Sequence, residues 1–204
     1  MHLKKLLSCR GFLLFVIALA LSGPTLGAGT LSRLDAASLK QKVAGIAAFG
    51  ESPANRPNRT TLTENEVNAY LAYEAREQLP AGLVDPAVSI IGGGRVTARA
   101  TVDLDAVRKQ RNSRSLLDPM SYATGRLPVT AGGVLKTNSG FGTFELETAT
   151  LAGVPVPKSL LQEIVAYYSR SPEKPAGIGL DDRFALPARI REIQVETGRA
   201  IVIQ

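Results

Sequence analysis

Cysteine and histidine are almost missing from this chain: one of each in 204 residues, with no tryptophan and two methionines. A single cysteine excludes an internal disulfide framework and a cysteine-rich zinc site. A single histidine, His2, removes most imidazole-based catalysis and metal ligation. Hydrophobic residues make up 45 % and charged residues 21 %, which supports a packed core and excludes wholesale disorder. The length suits one domain, or at most two small ones.

Residues 1–27 read as a secretory signal. Lys4, Lys5 and Arg10 give a positive start, and Gly11 to Leu21 (GFLLFVIALAL) is an unbroken run of eleven residues, nearly all apolar. Ser22, Gly23 and Pro24 break it, and small residues at Thr25 and Gly27 place the expected cut before Ala28. The run is short for a membrane span, which takes about 20 residues. An uncleaved anchor is the alternative. Cys9 precedes the apolar run, so the lipoprotein-like Leu6-Leu7-Ser8-Cys9 is not read as a lipidation site. Cleavage removes His2 and Cys9. It also takes three of the 24 basic residues and none of the 18 acidic ones, halving the formal charge of +6. The remaining body cannot run Cys-His, Ser-His-Asp or His-zinc chemistry, and its lack of thiols suits an oxidising envelope compartment.

That body reads as helices followed by strand pairs. Leu34, Leu39, Val43 and Ile46 predict a helix over 31–49, ended by Gly50, and residues 51–60 read as a linker with Pro53 and Pro57. Thr63-Glu64-Asn65-Glu66 is a capping box, after which Val67, Tyr70, Leu71, Ala75 and Leu79 extend an apolar stripe to Pro80. Residues 96–104 alternate apolar and polar, which means one buried and one wet face. Ala87 to Ile91 is their hairpin partner across Gly92-Gly93-Gly94. Further pairs are expected over 128–137 with 141–151, and 189–196 with 199–203, with a helix over 157–169 between them. The order favours an α+β fold: a curved antiparallel sheet of hairpins on one or two long N-terminal helices, plus a later helix. Residues 28–60 are read as an N-terminal helix and linker, and 61–204 as one α+β domain.

Candidate chemistry is sparse. Asp103 and Asp105 form a D-x-D without a third ligand at motif spacing, better read as strand-end polarity and a cap. Asp181-Asp182 reads as loop polarity. Ser171 to Lys174 matches S-x-x-K, but Pro172 and Pro175 disrupt the helical turn that motif needs. Leu127 to Ala131 resembles a sorting signal without the tail that should follow. Gly132 to Thr137 ends like a phosphate loop, with Leu135 where glycine should precede the lysine. Asn58 begins a glycosylation sequon. No catalytic residue, metal or cofactor is expected.

Arg108, Lys109, Arg111 and Arg114 place four cations in seven residues. They read as a solvated loop or as a contact for anionic head groups on a membrane surface. Nucleic acid is disfavoured, because no aromatics are interleaved and the leader exports the chain. The apolar stripes are more often core than cavity; the functional reading is that they wall an acyl-chain gap between a long helix and a curved sheet. Val67, Tyr70 and Leu71 on the helix, with Val96, Val102, Phe144 and Leu146 on strands, are the expected lipid-binding walls.

The segment Leu62 to Leu71 (LTENEVNAYL) resembles the helix opening of small bacterial extracytoplasmic proteins. The strand from Gly94 to Leu104, the Leu151 to Pro157 approach to a late helix, and Phe184 to Pro187 with a closing hairpin are similar too. Some such families resemble the tubular lipid-binding superfamily, in which a sheet wraps a long helix and lipid lies between them. The resemblance implies extracytoplasmic lipid binding or transfer and carries over no catalytic residue. The expected function is therefore non-catalytic binding of a lipid or other amphiphile in the cell envelope. The alternative is a scaffold that docks a protein partner through a sheet edge or the C-terminal hairpin.

Overall fold

A computed structural model describes residues 30–53, 56–80, 82–110, 124–170 and 174–204. It opens with α1 (Arg33–Glu51), whose buried face is Ala36, Leu39 and Ile46. Ser32 caps it, its hydroxyl accepting from the Asp35 N–H at 3.0 Å. β1 (Arg59–Thr63) leads directly into α2 (Glu64–Tyr73). Thr63 is both the last strand residue and the helix cap, and the capping box with Glu66 is fully formed. A short 3₁₀ turn, Arg76–Gln78, follows.

β2 (Leu83–Gly92) and β3 (Arg95–Asp103) form the first hairpin. α3 (Leu104–Gln110) comes next, then the long hairpin of β4 (Arg126–Asn138) and β5 (Phe141–Leu151). The two-residue β6 (Val154–Pro155) precedes α4 (Lys158–Tyr168). The chain then runs through β7 (Phe184–Ala185), β8 (Glu192–Glu196) and β9 (Arg199–Ile203).

The protein is α+β, and its described sheets are open and antiparallel. The larger runs β2-β3-β4-β5-β6, with β7 also on β5, and the smaller runs β1-β9-β8. The hairpin tips of the large sheet join it to the small one. Gly198 N–H donates to Ile90 C=O at 2.7 Å, and Gly140 N–H to Arg191 C=O at 2.9 Å. The Thr137 hydroxyl donates to Ile193 C=O (3.0 Å) and accepts from its N–H (2.8 Å). Ser139 and Gly140, both at positive φ (51° and 82°), make the tight turn that allows this approach.

The core sits at that junction. Leu39 and Ile46 of α1, Val67 and Leu71 of α2, Val88 and Ile90 of β2, and Val195 and Val202 of the small sheet form one buried cluster. α1 thus contributes to the same core as the strands. The stretch read as a linker through Thr60 contains the start of β1, whose five residues pair with β9 from Arg59↔Ile203 to Thr63↔Arg199. α2 ends at Tyr73, short of Leu79, yet Ala75 is fully buried. The apolar spacing there marks burial, which the tighter turn preserves. The basic stretch after β3 begins as α3, with the Asp103 carboxylate accepting from the Ala106 N–H at 3.0 Å. Among the described residues no helix is long and apolar enough to cross a membrane.

Candidate functional site: the far half of the large sheet

Cross-strand partners share a face of the sheet, so the registers define its two faces. On one face Val88 lies opposite Ala98 and Ile90 opposite Val96. Continuing across β4, Ala98 meets Ala131, Ala100 meets Val129, and Val102 meets Leu127. Ala131 then meets Ala149, Val129 meets Leu151, and Leu151 meets Val154. Along all of these pairs the face is apolar. The opposite face is wet: it carries the Lys136–Glu145 pair at 2.6 Å, the Arg95–Glu147 pair at 3.4 Å and a Thr150–Thr130 hydroxyl bond at 2.5 Å.

The apolar face is buried at one end only. Near the hairpin tips Val88, Ile90 and Phe144 are buried, and Val96, Ala98 and Leu135 pack on the core. Beyond them none of Ala100, Val102, Leu127, Val129, Ala149, Leu151 or Val154 is buried. Leu151 is 39 % exposed and Val154 66 %. Element lengths explain the asymmetry. β4 has 13 residues, roughly 44 Å at about 3.4 Å each, while the ten residues of α2 span roughly 15 Å. A helix that short cannot cover such a strand.

α4 begins two residues after β6 and is held to the loop that follows it. Lys158 pairs with Asp181 at 2.8 Å, and Gln162 Oε1 accepts from the Leu180 N–H at 2.7 Å. Its Leu160 is 48 % exposed.

The predicted lipid walls divide between the two halves. Val67 and Leu71 are buried in the core cluster, and Tyr70 and Val96 pack against that cluster, so these four belong to the core. Phe144 is buried opposite Leu135, with its ring against Gly133, and Leu146 lies half-buried opposite Gly133. Val102 belongs to the far half. Of the cationic cluster, Lys109 is exposed on α3 beside Arg108, while Arg111 and Arg114 lie outside the described residues, as does Ser171 of the S-x-x-K match.

The paired carboxylates are structural. Asp103 caps α3 and meets Arg126 at 3.2 Å; the Ala106 N–H is the main influence holding its carboxyl below the usual range. Asp105 accepts from the Gly125 N–H and Asp182 from the Gly179 N–H. Among the described residues no cluster of histidine, cysteine or carboxylate side chains is arranged to hold a metal.

Val129, Leu151 and Val154 did not figure among the expected site residues. Alternation assigns a residue to a face without saying what covers that face, and the only sequence cue is that the strand pairs outrun the helices. No protein-family model matches the chain, and no curated protein matches it.

Proposed function

We propose that this is an exported, non-catalytic protein that binds an amphiphile, with the hydrocarbon chain lying on the far half of the large sheet. The observation that carries the reading is the apolar strip of Val102, Val129, Leu151 and Val154, continuous with the core yet not buried. Five strands at about 4.8 Å spacing make the sheet about 19 Å wide, room for an extended alkyl chain. Each buried methylene contributes about 0.8 kcal/mol. Lys109, exposed on the α3 that follows β3, suits an anionic head group. The apolar leader and the resemblance to tubular lipid-binding proteins support the same reading. Val67 and Leu71 of α2 belong to the buried cluster, which favours the far half of the sheet over the space beneath α2.

The test uses the purified chain. Native mass spectrometry is expected to find bound amphiphile, and a fluorescent fatty acid is expected to bind saturably. Val129→Lys with Leu151→Lys should weaken that uptake at least tenfold while the protein stays folded. Amphiphile-free protein that takes up no fatty acid ends this reading, as does uptake indifferent to the double substitution.

A further inference from the structure

On the wet face of the β4–β5 hairpin tip lies a second, independent feature. Lys136, Asn138, Phe141, Thr143 and Arg183 surround a depression of about 200 Å³ whose floor is the backbone of Thr137 and Gly142. Lys136 pairs across the strands with Thr143, and Asn138 with Phe141, so all four side chains rise on one face. Arg183 arrives from the loop before β7 and stacks on Phe141, its guanidinium carbon 3.9 Å from the ring centre.

The charged side chains that line this depression are both cationic. Stacking restrains the Arg183 plane and leaves its edge N–H groups for a ligand. Among the described residues no carboxylate lies within ion-pair distance of Arg183. Lys136 gives one of its three N–H bonds to Glu145 Oε1 at 2.6 Å. Ser139 Oγ donates to Asn138 Oδ1 at 2.8 Å, so the Asn138 amide is left with its N–H groups to offer. The Thr143 hydroxyl adds another donor. The two cations among these donors favour a charged acceptor over a neutral one, and an oxyanion is such an acceptor.

We infer that this pocket is an oxyanion site, built for a phosphate or carboxylate group, with Arg183 as its principal ligand and Lys136, Asn138 and Thr143 completing it. It is separate from the apolar strip, which lies on the other face and toward the other end of the sheet. Glu145, 2.6 Å from Lys136, is the carboxylate that a bound oxyanion would compete with.

The experiment is an amide NMR titration of the folded protein with inorganic phosphate and, separately, with acetate, against sodium chloride at matched ionic strength. Saturable shifts confined to residues 136–143 and 183 are expected with at least one oxyanion. Saturation by phosphate alone assigns the site to phosphate groups, and by acetate alone to carboxylates. Arg183→Ala should weaken binding at least tenfold. Arg183→Lys, which keeps the charge but loses the planar fork, should fall between. Glu145→Gln should tighten binding severalfold by releasing Lys136, a gain that nonspecific charge screening would not give. Shifts that match the chloride control, or that survive Arg183→Ala unchanged, overturn the proposal.

Discussion

Lys42 of α1 grips Glu66 of α2 with both carboxylate oxygens, Nζ lying 2.7 Å from Oε1 and 2.8 Å from Oε2. The same carboxylate accepts from the Ser38 hydroxyl at 2.6 Å and from the Thr63 N–H at 2.9 Å. One buried group therefore caps α2 and ties it to α1. Burial alone would push this carboxyl up, but the bonds from Lys42, Ser38 and Thr63 outweigh it and bring it down to about 2 from an ordinary 4.5. A depressed carboxyl stabilises the fold above its unfolded value, and that contribution is lost as pH falls. The loss should run from about pH 5 to about pH 2 and amount to roughly 3 kcal/mol. Glu66→Gln should forfeit a similar amount at neutral pH and flatten the stability curve across this acid window. Urea denaturation at several pH values measures both, and an unchanged slope in the variant would detach the acid sensitivity from Glu66.

Gly133 of β4 sits where the large sheet leaves no room for a side chain. A methyl group there would run into the Glu145 carbonyl oxygen and sit 2.5 Å from the Phe144 ring. Phe144 is buried, so its ring has little room to retreat. Gly133→Ala should cost about 2 to 3 kcal/mol by overpacking. Gly153→Ala, where nothing lies within 4 Å of the added methyl but φ is +81°, should be destabilised by backbone strain alone, and by less. Equal losses in the two variants would deny Gly133 its packing role.

Much of this architecture was legible because its signals are local. The Thr63–Glu66 box is a four-residue pattern, the alternation from Val96 to Val102 is a property of one strand, and Ser139-Gly140 names its own turn. β1 was not legible. Its sequence, RTTLT, buries only Leu62, and its partner β9 lies some 140 residues away. α3 was hidden by its charge, since Arg108 and Lys109 read as solvated loop whatever backbone carries them. The candidate site was hard to read for a third reason. Val67 and Leu71 have the same periodicity whether they face core or cavity, so the sequence alone does not show that they join the buried cluster. The exposed strip depends on the length of β4 relative to α2, which is a relation between elements and not a motif.

Gln204 is 3 % exposed although polar, because its amide is fully used. The nitrogen donates to Ile46 C=O at 2.9 Å and Ala188 C=O at 2.6 Å, and Oε1 accepts from Asn58 at 3.0 Å. It joins the end of α1 to the turn before β8. Gln204→Leu keeps the volume but removes the donor to Ile46 and Ala188 and the acceptor for Asn58, and should cost about 1 to 2 kcal/mol. Gln204→Glu should be worse, since a carboxylate cannot donate to either one. Thermal melts of both variants beside the parent give the ranking.

The apolar strip makes a prediction about stability as well as binding. A core residue such as Val88, at 7 % exposure, loses packing on every side when truncated, so Val88→Ala should cost about 2 kcal/mol. Val154 and Leu151 look just as apolar in sequence, but they sit mostly or partly in water. Val154→Thr and Leu151→Lys should therefore shift stability by less than about 1 kcal/mol. Their effect should appear in solution behaviour instead: a charged strip no longer offers a continuous greasy surface, so aggregation and dye binding at exposed apolar surface should fall. The two measurements pull apart. A ligand-binding face tolerates Leu151→Lys in urea while losing hydrophobic-dye uptake. A concealed core position would lose stability as steeply as Val88, and that result would remove the surface from consideration as a site.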